Sequence, residues 1–97
     1  GLWFHVDGAY GAFGAVDPAA RPRFAGMERA DSVALDPHKW LHVPIECGAV
    51  LVRDAEMQRA TYSVVPPYLD SARTPDPDNP RWTMEYSFTL TSQMRAL

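Results

Sequence analysis

The sequence predicts an α/β protein built on a layered sheet, and three observations lead to that fold class. Two short apolar segments, "LWFHVD" and "DSVALD", each end at an aspartate that is followed by glycine or proline. A third apolar run, Ala49 to Val52, is continuous rather than alternating. A continuous run is typical of a strand that is covered on both faces, as in sheets flanked by helices.

The first segment predicts a buried strand that ends at Asp7, and the glycines after it predict a tight turn. The next segment begins with Asp17 and Pro18, which suit the N-cap and the first position of a helix. Its regularity is lost at Pro22 and Gly26. We therefore expect a short or broken helix between the first two strands.

The second predicted strand covers residues 31–36 and leads directly into "PHKW". The third predicted strand lies within residues 47–54. Asp54 is placed to cap a helical turn or two after that strand. The order of elements is thus strand, broken helix, strand, turn, strand and short helix.

The last third of the sequence has little predicted regular structure. Prolines crowd residues 64–80, and no regular element survives at that density. Long segments of this kind are often mobile and functional, so 64–80 is a candidate active-site loop. A final helix is predicted to begin at Thr91 or Ser92 and to run to the last residue. Because the chain also starts without an initiator methionine, we expect a fragment of a longer protein.

Composition fits one globular unit. Among 97 residues, 46% are hydrophobic and 22% are charged, as in ordinary folded domains. The net charge of −3 comes from mixed acidic and basic residues, so there is no basic stripe for nucleic acid or a membrane surface. Cys47 is the only cysteine, which excludes an internal disulfide and fits a reducing, cytoplasmic setting. The sequence offers no Cys and His cluster at metal-ligand spacing.

Asp7 is the first residue in which chemistry is expected. It lies at the predicted carboxyl end of a strand, next to Gly8 and Ala9, which leave room for a flat ligand. Ligands of α/β proteins bind at this edge of the sheet. An ionised aspartate there can hold a proton on a ring nitrogen of the ligand through a charge-assisted hydrogen bond. The alternative is an aspartate that only caps the turn.

Lys39 follows the second predicted strand and stands among His38, Trp40 and Leu41. An amine that is desolvated, or placed beside another cation, can attack carbonyls and form a Schiff base. The alternative is a lysine whose head group reaches water past the tryptophan. An acid after one strand and a lysine after the next are together what a pyridoxal phosphate site requires.

The segments "HVDGAYG" and "ADSVALDPHKWLHVPIECGAVLVRD" resemble the pyridoxal-phosphate-dependent group II amino-acid decarboxylases, which include the aromatic-L-amino-acid and tyrosine decarboxylases. The resemblance implies that Asp7 pairs with the pyridine nitrogen of pyridoxal 5'-phosphate and that Ala9 packs near the ring. It implies that Lys39 carries the cofactor as a Schiff base and that His38 lies near the cofactor phosphate. The usual "VDAAY" reads "VDGAY" here, so Gly8 replaces a common alanine.

The segment "PPYL" resembles a mobile loop of the same family. This resemblance implies that Tyr68 protonates the carbanionic intermediate after carbon dioxide leaves. Without the resemblance, Tyr68 would be interpreted as an aromatic anchor of the loop. Aldehyde-forming relatives tend to carry phenylalanine at this position, so the tyrosine favours simple decarboxylation.

The resemblance implies that residues 1–97 are part of the large, cofactor-binding domain of a fold-type-I enzyme, with a three-layer α/β/α architecture and a mostly parallel sheet. The implied reaction converts an L-amino acid, with aromatic side chains favoured, to its amine and carbon dioxide. A homodimer is implied as well. An isolated segment of this length is expected to be inactive, because the family's ring-stacking residue and most of its phosphate ligands lie elsewhere in the chain.

Two alternatives stay open. Other fold-type-I enzymes, such as desulfurases, aminotransferases and carbon–carbon lyases, share an aspartate and a lysine at these topological positions, although "DPHKWL" together with "PPYL" separates them from this chain. The second alternative is a truncated, non-catalytic paralogue that folds and pairs without chemistry. For the substrate, aromatic, acidic and branched amino acids all stay open.

Overall fold

A computed structural model of the chain describes residues 1–64 and 85–88. It divides into two compact units, one that contains residues 1–53 and one that begins at Asp54. The strands are β1 (His5–Asp7), β2 (Ser32–Leu35) and β3 (Ala49–Val52), and the α-helices are α1 (Pro37–Trp40) and α2 (Ala55–Tyr62). Tyr68, most of the predicted 64–80 loop and the helix predicted from Thr91 or Ser92 lie outside the described residues.

The three strands form one mixed sheet in the order β1-β2-β3. β1 pairs in parallel with β2, with Asp7 opposite Ala34, whereas β2 pairs antiparallel with β3. The α/β fold class is confirmed, but the expectation of a mostly parallel sheet is corrected for the described strands. The reason is the connection after β2, which holds only a one-turn helix and a loop and brings the chain back antiparallel.

The predicted strands are found where the apolar runs placed them. β1 ends at Asp7 as expected, and β2 ends one residue before Asp36. The expectation that the first strand is buried is wrong, because its outer residues His5 and Asp7 are exposed. The prediction that β3 is covered on both faces is wrong for this chain, since Val50 and Leu51 are more than half exposed. β3 is also the edge strand of the described sheet, where it pairs with β2 alone.

The region between β1 and β2 forms three short 3-10 helices rather than a broken α-helix. They span Ala12–Val16, Arg21–Phe24 and Met27–Arg29. Asp17 does not begin an α-helix, because its Oδ1 accepts a hydrogen bond from the backbone N–H of Ala19 at 2.9 Å within a turn. Closely spaced glycine and proline residues interrupt longer helical hydrogen bonding here, which leaves only the tighter turns.

A polar cluster holds β1 against β2 at the end of the sheet where both strands begin. The buried hydroxyl of Ser32 accepts a hydrogen bond from Nε1 of Trp3 at 2.9 Å and lies 2.7 Å from Nδ1 of His5. The carboxylate of Asp31 accepts from the backbone N–H of Phe4 at 2.7 Å. These contacts fix the parallel register two residues before the strand ends at Asp7.

Arg53, which follows β3, ties that strand to the segment before β2. Its Nε donates to the carbonyl oxygen of Ala30 at 2.9 Å, its guanidinium also donates to the carbonyl of Glu28, and its backbone N–H donates to Asp31. Nearby, hydrogen bonds from the backbone N–H groups of Glu28 and Gly26 lower the pKa of the Glu28 carboxyl from its ordinary value of 4.5. Backbone groups at this end of the sheet are therefore well satisfied.

The core of the first unit is small. Ala12 and Ala30 are its buried hydrophobic residues among those described. The 3-10 segments and one face of the sheet surround an open apolar cleft of about 930 Å³ that Phe24, Leu35 and Leu51 help to line. In the described part of the chain, no helix has the length and hydrophobicity needed to cross a membrane.

The second unit is organised by α2, which begins after Asp54 as predicted. The carboxylate of Asp54 accepts a hydrogen bond from the backbone N–H of Met57 at 3.0 Å, which is the usual N-cap contact. Gln58 donates to the carbonyl oxygen of Tyr86 at 2.7 Å, and Arg59 lies 3.5 Å from the buried carboxylate of Glu85. These two contacts join the helix to residues 85–88.

We predict that Gly8→Ala destabilises the fold, because Gly8 is buried where β1 and β2 end. An added Cβ would lie 2.4 Å from the Cβ of Ala12 and 2.8 Å from the carbonyl oxygen of Ala34. Overpacking of this kind costs about 1–3 kcal/mol. Urea unfolding should therefore show a lower free energy of unfolding.

The matched control is Gly11→Ala, since nothing lies within 4 Å of a Cβ added there. Its free energy of unfolding should stay within about 0.5 kcal/mol of the parent value. Equal stability of the two variants would contradict the close approach at Gly8.

Candidate functional site

The site candidates lie at the edge of the sheet where the parallel strands β1 and β2 end. Asp7 is the last residue of β1, and its register partner on β2 is Ala34, two residues before Asp36. Parallel neighbours in a sheet are about 4.8 Å apart, so both chains leave the sheet side by side. In α/β sheets this carboxyl edge is where ligands bind.

Asp7 is exposed, and the two oxygens of its carboxylate differ in their contacts. Oδ1 accepts a hydrogen bond from the backbone N–H of Ala9 at 3.2 Å, which caps the turn after β1. The turn-capping interpretation is thus correct for one oxygen. Among the described residues Oδ2 has no hydrogen-bond partner, so one oxygen of this exposed carboxylate is open to a ligand. Ala9 is partly buried beside it.

α1 is a single helical turn that sets the position of Lys39. The backbone N–H of Lys39 donates to the carbonyl oxygen of Asp36 at 3.0 Å, and that of Leu41 donates to Pro37 at 2.9 Å. Pro37 occupies the first helical position, where its missing N–H costs nothing. Because residues three apart share a face of a helix, this turn places the side chains of Asp36 and Lys39 together.

An ion pair joins Asp36 and Lys39. Nζ of Lys39 lies 2.7 Å from Oδ2 of Asp36, and the two side chains are 38% and 23% exposed, respectively. Asp36 stands at the N-cap of α1, yet its side chain makes no capping hydrogen bond. The sequence pattern places Asp36 only at the end of the second predicted strand, although its three-residue spacing from the lysine predicts this pair.

This environment of Lys39 differs from the one expected for a nucleophilic lysine. The expectation was an amine that is desolvated or placed beside another cation. In the structure the side chain is more than one-third exposed, and its nearest charged partner is an anion. The physical reason is local: α1 is exposed at Lys39 and Trp40, so the amine keeps contact with water while the turn supplies a carboxylate.

His38 tethers α1 to the loop before β3. Its Nδ1 lies 2.5 Å from the carbonyl oxygen and 3.1 Å from the backbone nitrogen of Cys47. One ring nitrogen cannot donate and accept at once, so the tautomer decides which backbone group it bonds. Nε2 of the same ring lies 3.9 Å from Oδ2 of Asp36. His38 and Lys39 thus both lie near the same carboxylate oxygen.

Two further contacts shape the surroundings of α1. The rings of Tyr10 and Trp40 meet edge to face, with centroids 6.1 Å apart and an interplanar angle of 78°. This contact joins the turn after β1 to the turn after β2. On the other side, a Cβ added at Gly48 would lie 3.3 Å from Oδ1 of Asp36. The glycine therefore leaves room for the carboxylate beside the lysine.

Sequence comparison finds amino-acid decarboxylases among the known proteins that resemble this chain. The family model described as "Pyridoxal-dependent decarboxylase conserved domain" matches residues 1–94. An aromatic-L-amino-acid decarboxylase from Bacillus atrophaeus is 38% identical over 73 residues, which cover 75% of this chain and 15% of the relative. A histidine decarboxylase from Drosophila melanogaster is 44% identical over 68 residues, which cover 70% of this chain and 8% of the relative. The chain thus spans less than one-sixth of the length of these relatives.

A solved structure extends the similarity over nearly the whole chain. The crystal structure of mouse CSAD matches with a TM-score of 0.72 and 26% sequence identity. The match covers 97% of this chain and 19% of the mouse chain.

We predict that His38→Ala loosens the loop before β3. The substitution removes the hydrogen bond between the imidazole and the backbone of Cys47. Loss of a hydrogen bond worth about 0.5–1.5 kcal/mol should raise the equilibrium constant for local opening of the loop roughly two- to tenfold. Because Cys47 is the only cysteine of the sequence and is partly buried, its alkylation rate with iodoacetamide should rise by that factor.

His42→Ala is the control, since His42 lies in the same loop and its loss removes a ring of the same size. Alkylation of Cys47 should keep its parent rate in this variant. An unchanged rate in His38→Ala would show that the tether does not protect the loop.

Proposed function

Because the chain belongs to the pyridoxal-dependent decarboxylase family, we propose that it contributes cofactor-binding and catalytic residues to an enzyme that decarboxylates an L-amino acid. The observation that carries the proposal is the meeting of two chain segments at one sheet edge. Asp7 ends β1, and the turn with Lys39 follows β2, its parallel neighbour. In this proposal residues 1–97 are part of the large domain of a longer chain, and 64–80 is its active-site loop.

The residues at this edge fit pyridoxal phosphate by their chemistry. Lys39 offers a primary amine for the aldehyde group, and it is the only lysine in the sequence. Asp7 offers a carboxylate whose Oδ1 is already oriented by Ala9, which suits a protonated ring nitrogen. Ala9 is small enough to let a flat ring approach. The resemblance to the family assigns His38, which directly precedes Lys39, to the phosphate end of the cofactor.

The proposed roles follow from these groups. When bound, pyridoxal phosphate supplies a conjugated ring that takes up the electron pair released as the substrate loses its carboxylate. Asp7 stabilises the positive charge on the ring nitrogen that makes this uptake favourable. Lys39 would hold the cofactor through its amine, at the position that a substrate amine would take during the reaction. α1 keeps the amine of Lys39 at the same edge as Asp7.

Tyr68 is proposed as the residue that returns a proton to the substrate carbon. This assignment is supported by the segment "PPYL" and by the family match, which includes residue 68. A phenol can donate a proton directly or through one water when it is held close to the reacting carbon. The product would then be the amine rather than an aldehyde.

We propose an aromatic L-amino acid as the substrate and a homodimer as the assembly. The aromatic-L-amino-acid decarboxylase of Bacillus atrophaeus supports the first choice. The histidine decarboxylase of Drosophila melanogaster is similar too, so histidine belongs in the same substrate panel, together with acidic and branched amino acids.

The first test is covalent capture of the cofactor by Lys39. The full-length protein that contains these residues is incubated with pyridoxal phosphate, reduced with borohydride and digested. Mass spectrometry should find the reduced pyridoxyl adduct on the peptide that contains Lys39. Carbon dioxide release should then be measured with the substrate panel.

Lys39→Arg is the matched control, because arginine keeps the positive charge beside Asp36 but has no primary amine. It should lose both the adduct and decarboxylation. An adduct without carbon dioxide release from any amino acid would favour another fold-type-I activity. Absence of the adduct in the parent protein would favour the non-catalytic paralogue.

Tyr68→Phe is predicted to separate cofactor binding from proton return. The variant should keep the pyridoxyl adduct on Lys39 and lose amine formation by roughly 10²-fold or more, the usual contribution of a general acid. The amine and the aldehyde products are both quantified by chromatography. Amine formation at the parent rate would exclude Tyr68 as the proton donor.

A further inference from the structure

Asp36 is an N-cap aspartate that does not cap. Residues at this position usually accept a hydrogen bond from the backbone N–H two or three residues later. In α2 the equivalent residue, Asp54, makes that contact with Met57 at 3.0 Å. In α1 the carboxylate instead lies 2.7 Å from Nζ of Lys39 and makes no capping bond. The side chain is thus directed to the cation rather than to the helix.

The surroundings of Asp36 favour this arrangement from two sides. Gly48 leaves space, since a Cβ there would lie 3.3 Å from Oδ1. His38 places Nε2 3.9 Å from Oδ2, the oxygen that contacts the lysine. Asp36 is also less exposed than Lys39, with 23% against 38% of the side-chain surface accessible. The carboxylate is therefore the more buried member of the pair, and the lysine is the member with more access to solvent.

We propose that Asp36 is a positioning residue that holds the amine of Lys39 as an ion-paired ammonium until an aldehyde ligand arrives. This inference rests on the proposed function of Lys39 as the group that binds the cofactor aldehyde. Before the nitrogen can attack, it must leave Oδ2 and lose one proton to solvent. The nitrogen then bonds to the aldehyde carbon, and the aldehyde oxygen leaves as water. No oxidant or reductant is needed.

Such a contact has two consequences for the reaction with aldehydes. It slows capture, because the ion pair must open before the nitrogen lone pair is available. It also keeps the amine at the edge of the sheet, so the lysine is not free to pair elsewhere. Asp36→Asn removes the negative charge with little change in shape, and it should make Lys39 react faster.

The experiment measures reductive methylation of Lys39 by formaldehyde and cyanoborohydride in the full-length protein without added cofactor. Mass spectrometry of the peptide that contains Lys39 gives the initial rate. Asp36→Asn should raise this rate roughly two- to fivefold, the range expected from opening a partly exposed ion pair. Asp36→Glu should stay near the parent rate, because a longer carboxylate three residues away can still reach the lysine.

Salt dependence separates an ion pair from a purely structural role. In the parent protein, raising sodium chloride to about 0.5 M should bring the rate toward that of Asp36→Asn, since salt screens exposed charges. The rate of Asp36→Asn should not respond. Asp17→Asn is the control for net charge, because Asp17 only orders a turn through Ala19 and its loss changes the total charge equally.

The proposal is overturned if Asp36→Asn and the parent react equally fast, or if Asp17→Asn accelerates the reaction as much. A parallel series with pyridoxal phosphate keeps the two proposals apart. Suppose that Asp36→Asn accelerates methylation by formaldehyde but pyridoxal phosphate never modifies Lys39. The holding role of Asp36 then stands, and the assignment of Lys39 to the cofactor fails. If pyridoxal phosphate modifies Lys39 at one rate in all variants, the cofactor assignment stands and the holding role fails.

Discussion

The parallel pairing of β1 with β2 is the constraint on which the site depends. Asp7 and Lys39 are distant in sequence, and they share one edge only because the two strands run in the same direction with Asp7 opposite Ala34. The contacts that fix this register lie at the opposite end of the strands. There the buried hydroxyl of Ser32 contacts Trp3 and His5, and a one-residue slip would leave these polar groups without partners.

The separation between the stabilising cluster and the site has a physical benefit. The residues that hold the register form hydrogen bonds with one another, so their polar groups need no partner at the carboxyl edge. At that edge the polar groups are held by short local contacts: Asp7 by the turn to Ala9, and Lys39 by Asp36 within α1. A ligand can therefore exchange these contacts without disturbing the pairing of the strands.

The sequence predicts the places and the ends of the strands, because an apolar run closed by an aspartate encodes both locally. The cap of α2 by Asp54 was predictable for the same reason. The direction of β3 was not, since parallel or antiparallel pairing depends on the connection and not on the strand's own residues. The exposure of β3 was also missed, because continuous hydrophobicity predicts a covered strand and cannot report what lies beside it. Nor does the sequence predict the exposure of β1, in which His5 and Asp7 are exposed and Val6 is only partly buried.

At the candidate site, too, features that depend on neighbouring residues in the sequence are predictable, whereas features that depend on tertiary packing are not. Asp7 and Lys39 are predictable from their places at the end of one strand and after the next, and the three-residue spacing of Asp36 from Lys39 predicts their ion pair. Exposure of the lysine could not be inferred, because it depends on what covers α1.

The structure also answers which acid the lysine pairs with when one aspartate ends β1 and another follows β2. Asp36 is three residues away on the same helical turn, so bringing it to the amine requires no additional loop closure. Asp7 is held by Ala9 on one oxygen, and its other oxygen is left for a second cation. If Lys39 had paired with Asp7 instead, the two groups that the proposed function assigns to opposite ends of the cofactor would neutralise each other. The aspartate within α1 thus keeps the strand-end aspartate available.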